Sequence, residues 1–260
     1  MEVEPPTIDA RRETSKIVSF IRSMVRGASA YGVVIGLSGG IDSAVVGALC
    51  VRALSGSKVI GLLMPSDHTP PLDIEDALAL SKKWGTRADI VPISSTAKVM
   101  TGSAKKIKGT KIALANVEAR VRMALLYYYA NSLGYLVAGT GDKSESLLGY
   151  FTKMGDGGVD FQPIAHLYKT QVRQLGKHLG LPRQVVQKPA SPQLWPGHKA
   201  SDEIPADYDK LDTVLYRLFD LRQGAAEAVQ GLDLQKSVAL RAMGMHEKSN
   251  HKRLLTPSLA

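Results

Sequence analysis

The stretch GLSGGIDSAVVG (36–47) follows directly on the apolar run YGVVI (31–35). An apolar, β-branched run that leaves through Ser-Gly-Gly and enters Ala-Val-Val reads as a buried strand, a tight turn and a helix. Consecutive Gly39 and Gly40 let backbone N–H groups converge without Cβ obstruction, and the helix behind them adds the partial positive charge of its N-terminus. Such a turn suits a phosphate. It suits plain helix capping by Asp42 or Ser43 equally well. A carboxylate beside phosphates repels them unless a cation lies between, so phosphate binding here would make Asp42 an anchor for Mg²⁺. A Walker A loop is excluded, because Gly-Lys-Ser and Gly-Lys-Thr are absent from the chain.

Outward from this turn, apolar β-rich runs at 58–64, 88–93 and 135–138 alternate with helical patterns at 43–54, 73–84 and 112–133. Apolar strands separated by helices predict the α/β class, a Rossmann-like doubly wound parallel sheet with helices on both faces. Ligands of such sheets bind beyond the carboxyl ends of the strands. DIED (73–76) places carboxylates at the positive end of one helix, and Gly85 stops it. DKSE (142–145) has the form of a capping box opening another helix directly after the 135–138 strand. Helical spacing resumes at 168–179 and ends at Gly180 and Pro182. The pattern breaks over the proline-rich 188–209, whose length is that of a functional lid. From Tyr208 onward the chain reads as helical and is expected to pack on the same domain.

Composition narrows the class without naming a ligand. The 260 residues are 44% hydrophobic and 22% charged, ordinary for a globular chain with a substantial core. A net charge of +9 favours anionic partners. The densest basic stretch, KKIKGTK (105–111), has no aromatic residue on which bases could stack and reads as an exposed loop, so nucleic acid is not expected. The lone Cys50 excludes an internal disulfide and a CxxC site. No apolar run reaches the roughly 18 residues of a membrane span and no signal peptide is evident, so no membrane association and a cytoplasmic location are expected. His246 and His251 are spaced by five, not the four that puts two histidines on one helical face, which argues against zinc.

SGGIDS (38–43) after a strand resembles the pyrophosphate-binding loop of the N-type ATP pyrophosphatases, which cleave ATP between its α and β phosphates and adenylate an acceptor. Within that superfamily, NVEARVRM (116–123), GTGDKSE (139–145), LGYFTKMGDGG (148–158), LYKTQVR (167–173), LWPG (194–197) and HKR (251–253) resemble the NAD synthetase family, in that family's order. The resemblance implies an adenine nucleotide alpha hydrolase-like fold in one domain over 1–260, with no glutaminase domain. It implies a C–N ligase in which the nicotinate carboxylate of deamido-NAD is adenylated by ATP and then amidated by ammonia. Mg²⁺ is the implied cofactor and a homodimer the implied assembly.

Carried over position by position, the family pattern assigns ATP to Gly36, Leu37, Ser38, Gly39, Gly40, Ile41, Asp42, Ser43, Thr140, Lys169 and Ser191. Asp42 and Lys169 are the implied catalytic residues, and Asp42 with Glu145 the implied Mg²⁺ ligands. Deamido-NAD falls to Arg120, Lys153, Asp160, His251 and Lys252, with Asp156 a weaker candidate. Tyr31 and Phe151 are alternatives for nicotinate recognition. Residue by residue, blander readings stand beside these: Glu145 as a capping-box partner, Arg120 as part of a solvated face with Arg122, Ser191 as a loop serine, and residues 127–129 as core or subunit interface. Lys169 near a helix start opposes the macrodipole and calls for an anion nearby. His198-Lys199 stands where the family usually has Gln-Thr, so no catalytic residue is carried from that segment. A tRNA-thiolating relative would fit the basic charge but lacks paired cysteines here. A regulatory nucleotide-binding module would not need Asp42, Glu145 and Lys169 together.

Overall fold

A computed structural model describes residues 4–191, 200 and 203–254. Four parallel strands, β1 (Gly32–Gly36), β2 (Val59–Leu63), β3 (Arg87–Ile90) and β4 (Tyr135–Ala138), lie in the order β3-β2-β1-β4. The order reverses beside β1, so β1 and β4 diverge in their connections and leave a crevice at their carboxyl ends. The phosphate-type turn and the GTGD turn open onto that crevice.

Alternation along the strands sorts the core into two layers. Val33 and Ile35 face α1 (Ala10–Gly27), α2 (Ile41–Leu54) and α3 (Pro71–Trp84), with α7 (Lys169–His178) and α8 (Arg183–Val186) completing the layer. Val34, Ile60, Leu62 and Val137 face α4 (Ser94–Gly102) and α5 (Lys111–Leu133) on the other side. Helices therefore cover both faces, as the alternating pattern predicts. α6 (Lys143–Leu148), α9 (Tyr208–Leu215), α10 (Ala225–Ala228) and α11 (Lys236–Lys248) close around a separate apolar cluster that also takes in Tyr168, the residue before α7. α12 (Asn250–Arg253) is a final short turn.

The expected 88–93 strand is shorter and shifted. Val91 and Ile93 still donate to the carbonyls of Leu63 and Pro65, but Pro92 between them has no N–H and regular pairing stops at Ile90. β3 is also not apolar throughout. It is an edge strand with Ile90 half exposed and an Arg87–Asp89 ion pair of 2.6 Å on its surface. At the opposite edge, β4 is covered: Asp160 accepts from the Val137 N–H at 2.7 Å and from Tyr127 Oη at 3.1 Å, while Gly139 N–H donates to Phe161 O. The basic 105–111 stretch is exposed as expected and irregular up to 110, while Lys111 already opens α5.

The first helix is an element the pattern of the sequence did not announce, because Arg11, Arg12, Glu13, Lys16 and Arg22 dilute its apolar stripe. Asp9 caps it, accepting from the N–H groups of Arg11 and Arg12. Ile17, Ile21 and Val25 recur at four-residue spacing and bury one face against α2. Arg22 Nε then donates to Ala53 O at 2.8 Å, satisfying a carbonyl in the last turn of α2. Ile21→Ala removes a fully buried side chain and is expected to lower unfolding free energy by ~2–5 kcal/mol, read as a lower urea midpoint at unchanged slope.

Candidate active site

A cleft of about 590 Å³ opens at the carboxyl ends of β1, β2 and β4. Gly36, Leu37, Ser38, Gly40, Ile41, Asp42 and Ser43 line it from one side, and Thr140, Glu145, Lys169 and Ser191 from another. All the residues expected at ATP except Gly39 thus border one cavity. Gly39 instead packs below: at φ +74, a Cβ there would collide with the Asp73 carbonyl oxygen. Gly40, not Asp42 or Ser43, occupies the N-cap of α2, and no side chain caps it. Asp42 sits in the first helical turn, and Ser43 turns back so that its Oγ accepts from Ser38 N–H at 3.2 Å. The capping alternative therefore fails for both residues, and the first N–H groups of α2 are left without a side-chain acceptor.

Lys169 is the centre of the charged half of the site. Its side chain is 1% exposed, and Nζ lies 2.8 Å from Asp42 Oδ2, 2.8 Å from Asp142 Oδ2 and 2.9 Å from Glu145 Oε1. The anion that a lysine at a helix start calls for is present three times over. The Asp142 contact is out of line for a hydrogen bond, and Asp42 Oδ1 is buried with no partner at all. Glu145 divides its two oxygens. Oε2 accepts from Asp142 N–H at 3.3 Å while Asp142 accepts from Glu145 N–H at 2.8 Å, which is the capping box of α6; Oε1 faces Lys169. Capping and a role at the charged centre are therefore compatible.

Burial foremost, with neighbouring carboxylates adding to it and Lys169 opposing it, pushes the Glu145 carboxyl up to about 8 and that of Asp142 up to about 6. Burial opposes the charge on Lys169, yet Asp142, Asp42 and Glu145 together hold its ammonium well above the ordinary lysine value. The cluster rests on a support the sequence did not reveal. Asp212 accepts from Ser144 Oγ at 2.6 Å and from Thr170 N–H at 2.7 Å, and Ser144 Oγ accepts from Lys169 N–H at 3.0 Å. A buried carboxylate from α9 thereby fixes the first turn of α7, and with it the Lys169 backbone.

Of the residues expected at deamido-NAD, Lys252 lines the cleft, while Arg120, Lys153 and His251 are linked to one another. Arg120 Nη2 donates to Lys153 O at 3.2 Å, and Lys153 Nζ donates to His251 O at 2.7 Å. Lys252 reaches inward, its Nζ donating to Gly149 O and Phe151 O, and lines the cleft with Phe151 and Asp156. Asp160 is not among the lining residues; its carboxylate faces the β4 edge. Arg122 lines the cleft, its Nε donating to Met64 O at 3.0 Å. The two nicotinate candidates separate: Phe151 borders the cleft, whereas Tyr31 is exposed before β1, at the opposite end of the strand from the site. Within the 188–209 segment, residues 192–199 and 201–202, with Trp195 and His198-Lys199, lie outside the described residues. His246 Nδ1 lies 2.8 Å from Leu147 O, and among the described residues no three His, Cys, Asp or Glu side chains form a metal cage.

A glycine-rich turn at the switch point of a parallel sheet, with a buried cationic centre facing it, defines an α/β nucleotide-binding enzyme of the adenine nucleotide alpha hydrolase fold. A family model described as NAD synthase matches residues 13–256. The NH(3)-dependent NAD(+) synthetase of Hyperthermus butylicus is 46% identical over 257 residues, which cover 96% of this chain and 91% of that protein. Among solved structures, the NH3-dependent NAD synthetase of Campylobacter jejuni superposes with a TM-score of 0.83 at 33% identity, covering 98% of this chain and 100% of that one. The NMN synthetase of Francisella tularensis superposes with a TM-score of 0.86 at 32% identity, covering 97% and 99%. The chain belongs to the NAD synthase family.

Lys169→Met leaves three carboxylates facing one another without a cation and is expected to cost ~3–5 kcal/mol of unfolding free energy at neutral pH. The pH dependence has a definite sign. Without Lys169 the two carboxyl groups already raised to about 6 and about 8 rise further, and a raised folded-state carboxyl loses its stabilising contribution as pH climbs through that value. The deficit of the variant relative to the parent should therefore widen from about pH 6 to about pH 8 in urea titrations.

Proposed function

We propose that the cleft carries out the ammonia-dependent NAD synthetase reaction, with ATP as co-substrate. The nicotinate carboxylate of deamido-NAD attacks the α phosphate of ATP and releases pyrophosphate. Ammonia then displaces AMP from the adenylated carboxyl and gives NAD. The observation that carries this reading is the unpartnered Asp42 Oδ1, buried in the first turn of α2 beside a phosphate-type loop and opposite Glu145 and Lys169.

Two polyanions must meet, so positive charge has to be placed between them. The loop contributes backbone N–H groups and the N-terminal end of α2 toward the pyrophosphate. Lys169, held protonated by its three neighbours, supplies a fixed cation beside the α phosphate. Asp42 and Glu145 fit a magnesium ion, which takes one or two carboxylates and completes its shell with water and phosphate oxygens. Such an ion, when bound, neutralises phosphate charge and polarises the bond to the leaving pyrophosphate. Arg120, Lys153, His251 and Lys252 offer four basic side chains to deamido-NAD. Thr140 and Ser191 offer hydroxyls on the ATP side.

Purified protein is expected to form NAD, AMP and pyrophosphate from deamido-NAD, ATP and ammonium, with no product when glutamine replaces ammonium. Asp42→Ala should lower turnover by about a hundredfold or more, as expected for loss of a metal-anchoring group at a phosphoryl centre. Glu145→Gln keeps a capping-box side chain, so it should leave stability near the parent while raising the Mg²⁺ concentration for half-maximal rate. Near-normal turnover in Asp42→Ala would refute the metal assignment. Production of NMN in place of NAD, from the mononucleotide acid, would place the substrate preference with that of the Francisella tularensis enzyme.

A homodimer is supported by apolar side chains exposed on one side of the sheet. Val99 and Met100 of α4 and Leu114 and Tyr128 of α5 are all substantially exposed. Exposed apolar side chains on these two helices are where a second copy would pack. Light scattering is expected to give a particle of twice the 28.0 kDa chain mass, and Tyr128→Glu to shift it toward the single chain.

A further inference from the structure

Lys188 lies outside the set of residues assigned to ATP, deamido-NAD or metal, yet it joins three separate parts of the site. Its Nζ is 2.7 Å from Asp73 Oδ1, 2.7 Å from Asp76 Oδ2 and 2.9 Å from Gly39 O. Asp73 and Asp76 stand three residues apart on one face of α3 and are both buried. Two buried carboxylates so placed repel each other and require a cation. That cation comes from a residue more than a hundred positions later, and its third acceptor is a main-chain carbonyl of the phosphate loop.

That carbonyl matters because of peptide geometry. No cis peptide occurs among the described residues, so the Gly39 C=O and the Gly40 N–H point in opposite directions. With the carbonyl anchored on Lys188, the Gly40 N–H is directed toward Ser38 Oγ, 3.3 Å away, on the side where Ser38, Gly40 and Ser43 border the cleft. A flip of this glycine–glycine peptide would turn a carbonyl oxygen toward the phosphates. Glycine at φ +74 offers little intrinsic resistance to such a flip. Lys188 is poorly suited to bind phosphate itself: its three ammonium donors meet three acceptors, and two carboxylates outweigh its charge. Burial opposes that charge, but the hydrogen bonds to Asp73 and Asp76 hold the ammonium above the ordinary lysine value.

We propose that Lys188 is a positioning residue for the phosphate loop: clamped by Asp73 and Asp76, it locks the Gly39–Gly40 peptide with its N–H toward the ATP phosphates. The inference rests on the reading that residues 36–43 hold the pyrophosphate end of ATP, and the experiment separates the two. KM for ATP, KM for deamido-NAD and kcat are measured for the parent, Lys188→Met, Asp76→Asn, Ser43→Ala and the triple variant Lys188→Met/Asp73→Asn/Asp76→Asn.

Lys188→Met should raise KM for ATP about tenfold, the effect of losing one charge-assisted hydrogen bond, with KM for deamido-NAD within about twofold of the parent. Asp76→Asn loosens the clamp and should raise KM for ATP as well. A lysine that contacted phosphate directly would be freed by Asp76→Asn, and an unchanged or lower KM for ATP in that variant overturns the proposal. The triple variant removes the uncompensated carboxylates and so protects the fold, while Gly39 O stays unanchored. Its KM for ATP should remain raised, and a return to the parent value overturns the clamp. If Ser43→Ala raises KM for ATP and Lys188→Met does not, the clamp fails and the loop reading stands. If neither moves it, the loop reading fails and takes the clamp with it.

Discussion

The site depends on a single buried ammonium. Lys169 stands at the first position of α7, among carboxylates from α2 and α6 and from the residue that caps α6, and so joins three elements at one point. Removing a charge from water costs several kcal/mol, and leaving carboxylates at this spacing without a cation costs more. The arrangement persists because three of the four groups are also tied to backbone: Asp142 and Glu145 through the capping box, and the Lys169 N–H through Ser144 and Asp212. Electrostatic attraction and helix-end geometry thus fix Lys169, Asp142 and Glu145 together, and Asp42 of the facing loop and helix meets a cation already in place.

A second cation does similar work on the other side of the loop. Lys188 bridges two carboxylates of α3 and reaches the loop carbonyl, whereas Lys169 gathers carboxylates around the cleft itself. The chain's excess of basic residues is therefore not only a solvated surface. Two of its lysines are structural counter-ions, and Lys252 and Arg122 line the cleft.

The readable part of the molecule was the part encoded locally. β1, its glycine turn and α2 follow one another within a few residues, and the turn chemistry leaves little choice. Gly85 and Gly134 stop their helices in the left-handed region because no Cβ obstructs it there. What escaped was held by distance or by competing signals. α1 hides its four-residue stripe among charged neighbours. Pro92 cuts short a run whose apolarity suggests a longer strand. The Ser144–Asp212 bond spans 68 residues and the Lys188–Asp73 pair 115, and no periodicity in a sequence announces such meetings. The capping box was legible, but not that one glutamate could cap a helix with one oxygen and face a lysine with the other.

The cover over β4 has a further consequence for assembly. An edge strand is a template on which another chain can add, and a four-stranded parallel sheet has two of them. On β4 the Val137 N–H already belongs to Asp160 and the Gly139 N–H to Phe161, so a foreign strand finds its donors taken; on β3 the paired charges of Arg87 and Asp89 make the same approach costly. Growth of the sheet from copy to copy is blocked at both ends. Any contact between copies would then fall to helical surfaces rather than to backbone pairing, which would propagate.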